Sequence, residues 1–277
     1  MLFAPPEGAV VETLLASGSV FLVALLRDHG ELVVGKRLLP RLLAEPAARA
    51  AIAREALSLS RARHPSLPEL RRVGSDAHGP FIIETRSEGS SVRAVVEAWH
   101  ARGQPVPPRL CGHIASSASR ALAELHALCD ERGAIELSHG DLGPAHVFLG
   151  PCGEVRFVDL GAARFAGMDP ALDTDDRGTL PFVAPEVARG EARPGQAADV
   201  YALAATLLYM AVGGGSLSEA RGDAAMLLEI GERGISAEIV ARASGLTDAA
   251  REAIGRAIAA HPEERLRTAE ELASALA

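Results

Sequence analysis

The sequence predicts an α+β protein of two lobes: a five-stranded β lobe carrying one helix, then a larger helical lobe, with a cleft between them. Three observations predict this. Short apolar runs broken by polar turns fill residues 10–85. Helical apolar spacing takes over from about residue 88. A chain of 277 residues, 48% hydrophobic, is long enough to bury a substantial core in two packed lobes. The division is expected at residues 1–86 and 87–277.

Residues 10–18 and 19–26 read as strand-like runs, and the polar turn Arg27-Asp28-His29-Gly30-Glu31 leads into a third at 32–39. Residues 45–63 read as a helix, with Ile52, Leu57 and Leu59 among Ala and Arg, ended by His64-Pro65. Runs at 68–74 and 79–85 supply two more strands. A helix at 91–102 is closed by the loop of Pro105, Pro107 and Pro108, and 109–132 reads as a long helix. Its Leu110, Ile114, Leu122, Leu125 and Leu128 fall at helical spacing. Loops and short strands cover 137–190, and further helices are expected at 199–212, 223–232, 247–260 and 268–276.

Composition narrows the function. A net charge of −8 and a pI near 5.6 argue against nucleic acid as a partner. The longest apolar runs, around 20–26 and 202–212, fall short of the ~18 residues that a membrane span needs. The first residues lack a basic stretch and carry Glu7 and Glu12, unlike a signal peptide. Cys111, Cys129 and Cys152 lack metal-site spacing and suit a reducing compartment, so a cytoplasmic protein is expected. No sensor or anchor segment is visible, so partners are expected to bind through the lobes themselves.

Arginine occurs 27 times and lysine once, at Lys36. Arg offers a broad planar fork and Lys a compact point charge on a thin stem. One lysine in such a chain is either a leftover or a group fitted to a narrow site.

Short segments fall into one order along the chain. They are Val33-Val34-Gly35-Lys36, Arg54-Glu55-Ala56, His139-Gly140-Asp141-Leu142 with His146, and Asp159-Leu160-Gly161. Downstream come the stretch 178–186, Asp199-Val200-Tyr201, and Arg265 after His261-Pro262. The set resembles the bacterial branch of the serine/threonine protein kinase family over nearly the whole chain. The resemblance implies that Lys36 holds the α- and β-phosphates of ATP and pairs with Glu55. It implies Asp159 as the ligand of Mg²⁺ (or Mn²⁺) and Asp141 as the base that takes the substrate hydroxyl proton. It places Gly18, Val34, Glu84, Arg86 and Phe148 around the nucleotide. Glu186 and Arg265 look like the family's buried ion pair, and Asp199 like the aspartate that holds the catalytic loop. His139 is expected as a packed residue, and His126 as a core or capping histidine.

The family's catalytic loop reads approximately HRDLKPxN, and this chain departs from it. Gly143 stands for the lysine that neutralises the γ-phosphate, a kind of loss that costs roughly 10²–10³-fold in rate. His146 stands for the metal-ligating asparagine, and nitrogen suits a softer metal better than Mg²⁺. Gly140 stands for the arginine that grips a phosphorylated activation segment, which deprives a phosphate on Thr174 or Thr179 of its usual partner. The glycine-rich loop keeps only Gly18, and Val34 and Phe148 add bulk on both sides of the adenine slot. These departures imply a pseudokinase acting through protein partners, with nucleotide binding left open. The retained Lys36, Glu55, Asp141 and Asp159 keep an active serine/threonine kinase as the alternative. A small-molecule phosphotransferase of the aminoglycoside-kinase type is a third reading, faintly echoed by residues 167–173.

Overall fold

Five strands form the first lobe: β1 (Ala9–Ser17), β2 (Phe21–Asp28), β3 (Glu31–Leu38), β4 (Leu70–Asp76) and β5 (Gly79–Thr85). They pair antiparallel in the order β1-β2-β3-β5-β4. The structure is a computed structural model that describes residues 3–174, 178–243 and 245–277. Alternation of side chains gives the sheet two different faces. One carries Lys36 and Leu38 of β3 beside Ile82 and Glu84 of β5, and it packs on α1 (Pro46–Arg61). Leu38 and Ile82 join Phe21 and the Ala48, Ala51, Ile52 and Ala56 stripe of α1 in one buried cluster. The opposite face buries Leu26, Val33 and Ile83 with Phe3. A one-residue slip of β3 would exchange the faces and expel Lys36 from the α1 side, so the apolar pattern fixes where the ammonium goes.

Small alanines let α1 lie close to the sheet, and its buried positions include two charged ones, Arg54 and Glu55. Leu57, one of the apolar residues of the helix, is 43% exposed. Two residues beyond Glu55 it has turned about 200° around the helix and points away from the sheet.

The second lobe begins with β6 (Ser90–Ser91), α2 (Val92–His100) and α3 (Pro108–His126). Ser91 caps α2 by accepting from the Ala94 amide at 3.2 Å. The long helix ends at His126, six residues before the expected stop, because a small hairpin follows: β7 (Cys129–Asp130) and β8 (Gly133–Ala134). Asp130 accepts from the Arg132 amide at 2.8 Å and Gly133 takes a φ of +114°, a backbone state that excludes helix.

The hairpin β9 (Val147–Leu149) and β10 (Val155–Phe157) pairs with β6 in a three-stranded sheet. The loop before β9 carries Asp141 and His146, and the segment after β10 carries Asp159. Next come α4 (Pro185–Ala188), α5 (Gln196–Ala211), α6 (Asp223–Arg233), α7 (Ala237–Ala241), α8 (Asp248–Ala257) and α9 (Ala269–Ala275). α5 is buried on nearly every side and forms the axis of the lobe. The three cysteines are free thiols. Among the described residues no helix is long and apolar enough to cross a membrane.

Candidate active site

Lys36 is 4% exposed and meets carboxylates from two directions. Its ammonium donates to Glu55 Oε1 of α1 and lies 3.3 Å from Glu84 Oε1 of β5. Burial works against the ammonium charge, but Glu55, Glu84 and Asp159 outweigh it and hold the Lys36 pKa above its ordinary value. Burial raises the pKa of both glutamates against the pull of Lys36, because one cation cannot neutralise two buried carboxylates.

Across the cleft, α5 anchors the loop before β9. Asp199 Oδ2 accepts from the His139 amide at 2.7 Å and Oδ1 from the Gly140 amide at 2.9 Å. His126 also reaches Oδ2, at 3.1 Å. His139 is buried, its Nε2 lies 3.1 Å from the Val158 carbonyl, and burial holds its pKa below the ordinary value. These contacts aim the loop.

His146 Nδ1 lies 2.7 Å from the carbonyl oxygen of Asp141, which can only accept, so Nδ1 carries a proton. The ring then sits between two carboxylates, with Nδ1 3.6 Å from Asp141 Oδ2 and Nε2 3.7 Å from Asp159 Oδ2. Burial raises the Asp141 pKa despite His146 and the Thr179 hydroxyl. Burial also opposes charge on Asp159, yet Lys36, His146 and His139 bring its pKa below the ordinary value. Asp159 adopts a φ of +71°, a strained state for a non-glycine residue and one that clusters at functional sites. A buried amine and two carboxylates thus meet where the lobes face each other. Sequence comparison matches the chain to the protein kinase domain family over residues 15–275.

The chain belongs to the protein kinase domain family. It is similar to the serine/threonine-protein kinase PknK of Mycobacterium bovis, 31% identical over 216 residues that cover 77% of this chain and 18% of that protein. It is also similar to PknB of Mycobacterium leprae, 28% identical over 72% of this chain and 32% of that protein. The tyrosine-protein kinase MasK of Myxococcus xanthus is 26% identical over 68% of this chain and 30% of that protein. The kinase domain therefore spans a third or less of the length of these relatives.

The remaining expected site residues lie on β3, on β9 and in the turns after β1 and β5. Gly18 closes the short β1–β2 turn by donating its amide to the Phe21 carbonyl at 2.9 Å. Val34 on β3 and Phe148 on β9 are half-buried, and Arg86, just past β5, is exposed. The donor set of Asp159 with His146 beside it suits a divalent ion, and Asp141 Oδ1, on the other side of the His146 ring, is buried without a hydrogen-bond partner. Among the described residues no group of three or more His, Cys, Asp and Glu side chains could hold a metal alone. Asp159, with His146 beside it, would therefore hold an ion jointly with the phosphates of a nucleotide.

Two features escaped the sequence reading. Arg54 is fully buried; its Nε donates to the Gly161 carbonyl and its Nη1 to the Leu172 carbonyl, both at 2.8 Å, and Nη1 also donates to Thr174 Oγ1 at 2.5 Å. Arg164 and Arg193 donate to the Thr174 carbonyl at 2.9 and 3.4 Å. The missing arginine at position 140 thus does not leave Thr174 away from guanidinium groups. Gly140 itself has φ +79°, and a Cβ there would lie 2.3 Å from the Ala162 carbonyl oxygen, so the backbone path excludes any side chain. The second missed feature is the Glu84 carboxylate on Lys36; buried charges seldom announce themselves in sequence.

The scaffold pair is as expected. Arg265 donates from Nη1 and Nη2 to the two oxygens of Glu186, each at 2.9 Å.

Proposed function

We propose that this kinase domain binds a nucleotide between the lobes of residues 1–86 and 87–277, transfers phosphate weakly if at all, and acts through protein partners. The observation that carries this reading is His146 set between Asp141 and Asp159, where the family uses an amide oxygen. An imidazole there offers one nitrogen to a hard ion, and the other nitrogen is already committed to the Asp141 carbonyl. Gly143 adds to the deficit, since it has no charge to place on a transferring phosphoryl group. In this reading Lys36 holds the phosphates, Asp159 and His146 the metal, Mg²⁺ or Mn²⁺, and Gly18, Val34, Glu84, Arg86 and Phe148 surround the nucleotide. The free cysteines suit the cytoplasm.

A second reading, an active serine/threonine kinase, is favoured by the closed Lys36–Glu55 pair and by Asp141, whose raised pKa suits a general base. The family match over residues 15–275 favours a protein hydroxyl over a small alcohol as acceptor. The deciding experiment is incubation with labelled ATP and Mg²⁺ or Mn²⁺. The expected result is little or no transfer; label on protein that disappears with Asp141→Ala would establish the active kinase instead. Label on a small alcohol and on no protein would favour the small-molecule reading.

A further inference from the structure

Glu84 is the one member of the buried cluster that a phosphate-binding lysine does not require. It occupies the penultimate position of β5, paired in register with Val34 of β3, on the sheet face that α1 covers. Glu55 already engages Lys36 through Oε1, and Glu84 Oε1 approaches the same ammonium at 3.3 Å. That leaves one of the three Nζ protons for anything else. Both second oxygens, Glu55 Oε2 and Glu84 Oε2, are buried without hydrogen-bond partners. The charged side chains gathered here are Lys36 from β3, Glu55 from α1, Glu84 from β5 and Asp159 from the segment after β10. One cation faces three carboxylates.

We propose that Glu84 is a specificity- and affinity-determining residue that competes with nucleotide phosphates for Lys36. The proposal rests on the nucleotide-binding reading above and adds what limits it. A phosphate that reaches Lys36 must draw the ammonium from a buried carboxylate for which no other cation is present among the described residues, and leaving that carboxylate uncompensated is unfavourable. Glu55 is held by the shorter contact and fixes α1 to the sheet, whereas Glu84 sits on the longer one and is the partner that phosphate displaces. The ligand class favoured is a nucleotide that brings its own divalent ion, because the ion offsets the surplus negative charge.

The test is equilibrium binding of Mg²⁺–ADP by titration calorimetry to the full chain and to Glu84→Gln, Glu84→Met and Lys36→Met, with Glu84→Gln also made in the Lys36→Met background. Gln keeps the shape and removes the charge; Met removes the polar group as well and keeps the question answerable if Gln fails to fold. Either change should tighten binding about tenfold, the effect of removing one competitor for the ammonium. In the Lys36→Met background the gain should vanish, since the two residues act as a pair. Unchanged or weaker binding by Glu84 variants that melt cooperatively overturns the proposal. So does the same gain without Lys36, which would place the effect elsewhere. Binding by no variant removes the nucleotide reading itself and this proposal with it.

Discussion

The two sides of the catalytic loop have kept different things. Behind it, Asp199 holds two backbone amides and Arg265 holds both oxygens of Glu186, all at ordinary hydrogen-bond lengths. In front of it, the positions that would face a nucleotide carry Gly140, Gly143 and His146 where the family has arginine, lysine and asparagine. The rear contacts are a bidentate ion pair and a buried carboxylate on two amides, where loss of one partner strands the other. In front, Gly143 has room for a side chain and strands no charge when replaced, whereas the backbone path fixes Gly140. Fold and chemistry are thus separable here, and each experiment below presses on one side.

The largest effect is expected behind the loop. Arg265→Ala leaves Glu186 uncompensated and should destabilise the domain by roughly 3–5 kcal/mol, read from urea unfolding. A cost under ~1 kcal/mol would mean that the rear contacts are dispensable and the contrast is false. In front, Gly143→Lys should raise labelled phosphate transfer roughly 10²–10³-fold if a missing cation is the main deficit. Space allows it: a Cβ at 143 would meet Phe182 at an ordinary 3.6 Å. No gain would move the deficit to His146. Mg²⁺–ATP at 100 times its dissociation constant should add ~2.7 kcal/mol to stability, seen as a raised melting temperature and lost in Lys36→Ala.

The buried glutamates give a smaller, pH-dependent term. Burial raises the Glu55 pKa from 4.5 against the opposing Lys36, so the folded state takes up a proton at a higher pH than the unfolded chain does. The associated stability is fully present below about pH 4.5 and declines as pH rises towards about 8. The melting temperature should fall across that window, and less so in Glu84→Gln. A flat profile would show that burial does not raise the carboxylate pKa values in the folded state. The smallest effect belongs to the surface: breaking the Arg251–Asp248 pair, with Asp248 98% exposed, should cost under ~0.5 kcal/mol.

Much of this was legible in the sequence, for identifiable reasons. Short apolar runs broken by polar turns located all five strands of the sheet, and the ordered short motifs picked out Lys36, Glu55, Asp141 and Asp159, which the fold brings to one region. Local pattern failed where distant residues decide. Leu128 continues the apolar spacing of α3, but the Asp130–Gly133 turn stops the helix. Leu57 is apolar yet exposed, and apolar character alone does not say which face of α1 turns inward. Arg54 bonds partners 107 to 120 residues away, and nothing near it in sequence signals burial. The sharing of Lys36 by Glu84 likewise needs the β3–β5 register, which residue type does not supply.

The seclusion of Lys36 has a practical corollary. With its side chain 5% exposed and locked as an ammonium, the only lysine is a poor nucleophile in the closed domain. Apart from the α-amino group, an acylating or reductively methylating reagent has no other amine to modify. The pace of labelling at that single nitrogen therefore clocks how often the two lobes part, and a carbon-13 methyl placed there would give one resonance reporting on the cleft alone.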